Sequence, residues 1–85
     1  MNNLTNLNLT KSKLIKINMI EDLKELVNKA AEVEDEVLLQ HGYYIINCKS
    51  ILGVLSLDLS KEVNIVYPAY AVEFEQFIEQ FEVVK

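Results

Sequence analysis

Two side chains of this sequence are of the types most often used as nucleophiles or metal ligands: one cysteine, Cys48, and one histidine, His41. A lone cysteine excludes an internal disulfide, and one cysteine with one histidine cannot assemble a zinc site or a paired redox motif. Cys48 falls late in an apolar stretch, where cysteine usually acts as a small buried hydrophobic residue. His41 precedes a glycine, as a solvated turn residue would. The sequence therefore predicts no metal ion, no cofactor and no enzymatic activity.

Ser50 is the third residue to consider, because it opens the apolar stretch KSILGVLSL, Lys49 to Leu57. A serine directly before a helix usually caps it: its hydroxyl oxygen accepts a hydrogen bond from a backbone N–H one turn later, which stabilises the helix by about 1 kcal/mol. A short helix of this composition has almost no polar face. An exposed apolar cluster usually marks a contact with another protein. Ser50 is therefore predicted to begin a helix that binds a partner, unless the start of the chain or self-association covers it.

The first elements of the chain change from strand to helix periodicity. The segment KLIKIN, Lys13–Asn18, has the β-branched, alternating character of a strand. From Met19 to Val33 the apolar residues follow helical spacing. Asn18 and Glu21 form a loose capping box there, and Glu21 and Asp22 place negative charge at the positive end of the helix dipole.

A hairpin and a further strand follow. Runs rich in Val, Leu, Tyr and Ile lie on both sides of His41 and Gly42, which predicts two antiparallel strands over residues 36–48. The segment VNIVY predicts a fourth strand, which Pro68 ends because proline cannot donate to a strand ladder.

The last element is predicted to be a helix with one aromatic and aliphatic stripe in the core: Tyr70, Phe74, Phe77, Ile78 and Phe81. With the short helix after Ser50, the order is βαββαβα. Strands with one polar and one apolar face need cover on one side, and the three helices can supply it. The fold class is therefore α+β, a two-layer sandwich.

Composition and charge limit the function classes. The 85 residues include eight lysines, no arginine and thirteen acids, a formal net charge of −5, so the cationic surface that binds nucleic acid is absent. We expect one domain over residues 11–85 and a flexible or weakly ordered tail over residues 1–10. No apolar run is long enough to span a membrane and no signal peptide is evident, which predicts a cytoplasmic protein.

The stretch Lys49 to Leu57 closely resembles the serine-led helix of the HPr family, the phosphocarrier proteins of the bacterial phosphoenolpyruvate-dependent sugar phosphotransferase system. That family has Lys-Ser-Ile-Met-Gly-Val-Met-Ser-Leu, and only the two methionines differ here, each replaced by leucine. The element order is also similar, over about Lys13 to Phe81. The resemblance implies an open-faced sandwich with a four-stranded antiparallel sheet covered on one face by helices.

The family's phosphocarrier motif, of the type Gly-(Leu/Ile)-His-Ala-Arg-Pro, does not match at the start of the first helix. Met19 falls near the position of the phosphorylated histidine, and Glu21 near that of the arginine. Methionine cannot accept a phosphoryl group, and the carboxylates of Glu21 and Asp22 would repel a phosphate dianion. The chain is interpreted as a divergent member that lacks the active-site histidine.

By this resemblance Val54 and Leu57 face the core, while Ile51, Leu52 and Leu55, with Lys49, form a protein-binding surface. The family's matching serine is a target of a regulatory kinase, which makes Ser50 a candidate phosphorylation site. We expect a regulatory or adaptor module with protein partners, of the phosphotransferase system or its regulators. The alternatives are a structural or self-associating module, such as a homodimer, and a phosphocarrier that uses a non-standard residue.

Overall fold

The computed structural model of the chain describes residues 9–58 and 60–84. The elements are, in order, β1 Thr10–Ile15, α1 Ile20–Ala31, β2 Leu38–His41, β3 Tyr44–Asn47, α2 Ile51–Leu55, β4 Val63–Pro68 and α3 Val72–Ile78, which a 3₁₀ turn at Glu79–Phe81 continues. The strands form one antiparallel sheet in the order β1-β4-β2-β3. The predicted α+β class, element order and four-stranded antiparallel sheet are confirmed.

One face of the sheet carries the core. Buried strand residues alternate onto that face, and the helices cover it with buried residues of their own: Ile15, Leu39, Val63, Ile65 and Tyr67 from the strands, and Leu26, Val27, Ala30, Val54, Phe74 and Ile78 from the helices. The residues between them on β4, Asn64 and Val66, point to the other face and are exposed or half-buried. The sheet is therefore open on one side, as the alternating pattern predicts.

The first strand lies three residues earlier than the predicted Lys13–Asn18. Its ladder with β4 begins at Thr10 and ends at Ile15, after which the backbone N–H of Lys16 donates to the carbonyl of Phe81 at 3.0 Å. The predicted start was too late because the first residues of the strand are polar. The predicted end was too late because Ile17 is buried but lies in a segment outside the sheet ladder. Of the predicted tail, residues 1–8 lie outside the described residues.

The hairpin turn is shifted by one residue from its predicted position. His41 is still in β2 and pairs with Tyr44, so the two turn residues are Gly42 and Tyr43. Gly42 has φ +61°, a conformation that favours glycine at the first position of a two-residue hairpin turn. The predicted hairpin is confirmed, with His41 at the end of a strand.

Tyr70 does not belong to the buried stripe predicted for the last helix. It precedes α3 and is exposed, whereas Phe74 and Ile78 are buried and Phe77 is half-buried. The prediction was wrong because α3 begins only at Val72, so helical spacing does not extend back to residue 70. The Tyr70 hydroxyl instead donates to the carboxylate of Asp35 at 2.8 Å.

Polar contacts attach α3 to the sheet. The hydroxyl of the buried Tyr67 donates to Glu75 Oε2 at 2.7 Å, and Lys11 Nζ lies 3.2 Å from the same oxygen. Both contacts lower the pKa of the Glu75 carboxyl, the hydrogen bond from Tyr67 most strongly. Burial, together with the nearby Glu75, raises the pKa of Tyr67. Because the Lys11 side chain is about half exposed, its ion pair with Glu75 alone contributes little to stability.

Candidate functional site

Ser50 begins α2 in the way its sequence context predicts. Its backbone is extended, with φ −101° and ψ 111°, and its hydroxyl oxygen accepts a hydrogen bond from the Gly53 backbone N–H at 3.1 Å. The Ser50 carbonyl accepts from Val54 N–H at 2.9 Å. Because α2 has only five residues, this cap supports a large part of the helix.

Lys49 fixes the start of α2 to the end of α1. Its Nζ donates to the backbone carbonyl of Val33 at 2.6 Å and lies 3.5 Å from that of Glu34. A cation beside the carbonyls that follow a helix is favourable because that end carries partial negative charge. Lys49 therefore has an internal structural contact, which its sequence context did not indicate. Its predicted role in partner binding stays a prediction.

Three apolar side chains of α2 are exposed on the surface. Ile51 is 38% exposed, Leu52 79% and Leu55 45%, and we call these three residues the α2 patch. Val54 is completely buried, and Leu57 is half-buried against the core. The helix therefore has one core face and one apolar solvent face.

Gly53 allows α2 to lie close to the sheet. A Cβ atom at this position would be 2.9 Å from Ile46 Cγ2 of β3 and 3.3 Å from Ser50 Oγ. Any larger residue would push α2 away from β3 or displace the capping hydroxyl. The distance between α2 and the sheet therefore depends on this glycine.

The start of α1 presents a methionine and two acidic side chains. The N-cap residue is Met19, not Asn18 as the predicted capping box required, and no side chain caps this end. Met19 and Ile20 are exposed, and the first turn carries Glu21 and Asp22. The negative charges of these carboxylates stabilise the positive end of the helix dipole, although no N-cap side chain accepts a hydrogen bond there. Thioether and carboxylate groups there disfavour an anionic ligand.

Of the two residues first considered for chemistry, Cys48 has an unreactive setting. Cys48 is completely buried, and burial raises the pKa of its thiol to about 12, so almost no nucleophilic thiolate forms at neutral pH. His41 is exposed at the end of β2. Within residues 9–58 and 60–84, no three His, Cys, Asp or Glu side chains come together as metal ligands would. No helix in this part of the chain is long and apolar enough to cross a membrane.

Two surface depressions include Lys49 in their walls. The larger, about 760 Å³, lies between the end of α1 and the start of α3 and includes Lys29, Lys49 and Tyr70 in its wall. The smaller, about 370 Å³, is bordered by Lys24, Val27, Asn28, Lys49 and Ile51. Sequence reasoning missed the larger one because it placed Tyr70 in the core. The proline two residues before Tyr70 was the available signal, since it separates that residue from the helix.

Comparison with known proteins supports the fold. The structure is similar to that of a phosphocarrier protein HPr from Bacillus anthracis, with a TM-score of 0.70 and 18% sequence identity, over 88% of this chain and all of the other. No protein-family model matches the sequence. No curated protein matches it closely enough to indicate a relative. The chain thus has an HPr-like fold.

Proposed function

We propose that this chain is a protein-binding module of the sugar phosphotransferase system that acts as a regulator or adaptor through α2 and does not carry phosphate. The observation that carries the proposal is the α2 patch: three large apolar side chains exposed on one short helix. A soluble domain rarely leaves such residues together on its surface unless they meet another protein. The HPr-like fold supports the choice of the phosphotransferase system as the place to look for the partner.

The anchoring of α2 supports a binding role. Ser50 caps the start of the helix, Lys49 ties that start to the end of α1, and Val54 fixes its inner face in the core. A surface held in one conformation binds with a smaller loss of conformational freedom than a mobile one. The α2 patch is therefore pre-organised for docking.

The start of α1 is the reason that we exclude phosphate transfer from the proposal. A phosphocarrier needs a nucleophilic side chain and cationic or neutral groups around the transferred dianion. The corresponding surface here offers Met19, Glu21 and Asp22. A phosphoryl group would meet two carboxylates and no nitrogen nucleophile.

Regulation by phosphorylation of Ser50 is the finer part of the proposal. A phosphate there would lie at the start of α2, adjacent in sequence to Lys49, and would add about −1.5 to −2 charge at pH 7. It would also displace the hydroxyl that now accepts the Gly53 N–H, so the phosphate oxygens would take over the cap. The charge on the edge of the α2 patch would change, and with it the choice of partner.

Two experiments test these parts separately. In the first, proteins of the phosphotransferase system are titrated by calorimetry against the chain and its variants Leu52→Lys and Leu55→Lys, with Val72→Lys on α3 as a control of intermediate exposure. We expect at least one partner to bind, with affinity about tenfold weaker for the α2 variants and unchanged for the control. Equal affinities for all variants would contradict the binding role of α2.

The second experiment tests modification. The chain is incubated with an HPr kinase and ATP, and mass spectrometry is used to find a phosphoryl group on Ser50, with Ser50→Ala as the control. If Ser50 stays unmodified, the proposed regulation by phosphorylation is refuted, and the proposed docking through α2 is unaffected. A parallel incubation with phosphoenolpyruvate and the general phosphotransferase enzyme should give no phosphoprotein. An acid-labile phosphoprotein in that reaction would show a phosphocarrier instead.

A further inference from the structure

The smaller depression beside α2 is lined mainly by groups that donate hydrogen bonds. Its walls are formed by Lys24, Val27 and Asn28 of α1, by Lys49, and by Ile51 of the α2 patch, around about 370 Å³. The two ammonium groups only donate, and the Asn28 amide has two N–H donors. None of these wall residues is acidic, and the Asn28 carbonyl is the one side-chain acceptor among them. A group that fits these walls has to accept hydrogen bonds.

Both lysines of the depression have donors left for a ligand. Lys24 is exposed, and its ammonium group forms no ion pair or hydrogen bond within the described part of the chain. Lys49 Nζ donates to the Val33 carbonyl at 2.6 Å and lies 3.5 Å from that of Glu34. Because an ammonium group has three N–H donors, at least one of Lys49 is still available. The depression therefore offers two cations to an incoming anion.

Charge is separated around α1, so this side of the helix is positive although the chain has a net charge of −5. At about 100° per residue, Lys24 and Asn28 lie on one side of α1, and Glu25 points about 100° away from Lys24. Glu21 lies one turn before Lys24 and outside the walls of the depression. The stretch Lys49–Leu57 contains no Asp or Glu. An acidic group is therefore attracted to this side and repelled by the acidic side, which orients a partner during docking.

Apolar atoms in the same walls decide which kind of anion fits. Val27 is buried and Ile51 is partly exposed, so a ligand in the depression lies against aliphatic groups as well as lysines. A free phosphate ion would lose hydration there without full compensation, and the acidic chain gives it no long-range attraction. A carboxylate on the surface of a partner is held in place by the apolar contacts of the α2 patch, to which Ile51 belongs.

We propose that this depression receives an Asp or Glu side chain of the partner that docks on the α2 patch, and that Lys24 selects for it. The proposal rests on the binding function proposed above and adds the chemistry of the partner surface, a carboxylate next to an exposed apolar group. One exposed ion pair contributes little to affinity. Lys24 therefore acts mainly on the choice and orientation of the partner.

The test uses hexanoate as the probe, because it joins a carboxylate to an apolar chain, and follows the backbone amide signals of the whole chain by NMR. We expect hexanoate to shift the signals of Lys24, Asn28 and Ile51. It should bind about twofold to fivefold more tightly than hexanol, which lacks the charge. Inorganic phosphate, which lacks the apolar chain, should also bind more weakly than hexanoate.

Variants locate the carboxylate. Lys24→Gln should weaken hexanoate binding about twofold to fivefold, the range of one exposed ion pair, and should leave hexanol binding unchanged. Because Lys24 is exposed and makes no ion pair, its replacement should leave the fold intact. Lys29→Gln is the matched control, since it makes the same charge change on α1 outside the walls of this depression, and hexanoate binding should not change. Added salt should weaken hexanoate binding to the parent chain more than to Lys24→Gln.

Three results would overturn the proposal. The first is that hexanol binds as tightly as hexanoate, which would leave only an apolar contact. The second is that phosphate binds as tightly as hexanoate, which would make the depression a site for free anions. The third is that hexanoate gives no shift at these residues, or that Lys24→Gln leaves its binding unchanged. Docking through α2 is tested separately by calorimetry with Leu52→Lys and Leu55→Lys, so failure of the carboxylate site and failure of the binding function are distinguished.

Discussion

Replacing Gly53 by alanine should destabilise the protein although alanine is the better helix former. In an exposed helix this change stabilises by about 1 kcal/mol. Here the new Cβ would lie 2.9 Å from Ile46 Cγ2, a contact that real structures avoid. That methyl group is attached to the branched Cβ of isoleucine and cannot rotate away without a change of rotamer. Overpacking of this kind costs about 1–3 kcal/mol, so the expected net loss is about 1 kcal/mol.

Urea unfolding followed by circular dichroism measures this loss as a lower midpoint, and thermal unfolding should show a Tm about 4–8 °C lower. Ile46→Leu moves the branch away from Cβ, so the double variant Gly53→Ala/Ile46→Leu should regain part of the stability. Gly42→Ala is the matched control: its Cβ meets nothing within 4 Å, and its cost arises only from φ +61°.

The reasoning fails if Gly53→Ala is as stable as the parent chain or more stable. It also fails if Ile46→Leu gives no relief, or relieves Gly42→Ala equally. In either case the close approach of α2 to β3 would not be what requires the glycine.

Two further predictions concern the cap and the last helix. Ser50→Ala should lower the free energy of unfolding by about 1 kcal/mol in urea titrations, because it removes the acceptor of the Gly53 N–H. Ser50→Asp can still accept this hydrogen bond and should stay near the parent value. Equal losses in the two variants would argue against capping by Ser50. The hydrogen bond from Tyr67, and then Lys11, lower the pKa of Glu75 in the folded protein. The ionised carboxylate therefore stabilises the fold at pH values above the ordinary glutamate pKa of about 4.3. This stabilisation is lost as the pH falls through the lower pKa of the folded state. Glu75→Gln should therefore flatten the acid side of the stability–pH curve, and an unchanged curve would refute the contact.

Local patterns were sufficient for much of the fold. The helical spacing of α1, the glycine at the hairpin turn and the serine before α2 each depend on neighbours within a few residues, and each is found where it was predicted, to within one to three residues. Predictions failed where a distant contact decides the outcome. The bounds of β1 are set by pairing with β4 and by the C-terminal segment, partners 48 to 69 residues away in sequence.

The same distinction between local patterns and distant contacts applies to the candidate site. The sequence indicated that α2 has almost no polar face and so exposes apolar side chains, but it could not show that Lys49 holds the carbonyl of Val33 or that Tyr70 reaches Asp35. Long polar side chains have many rotamers, and the partner of each is fixed only when separate elements are packed together.

By itself the sequence determined the periodicity of each element, the residue that caps α2 and the acidic character of the start of α1, because these depend on residue types and short spacing. Only the tertiary structure decided which apolar residues stay exposed and which strands lie at the edges of the sheet. Exposure and strand order depend on how the elements pack, and the order β1-β4-β2-β3 places at the two edges β1, which carries Lys11 and Lys13, and β3, which carries no charged residue.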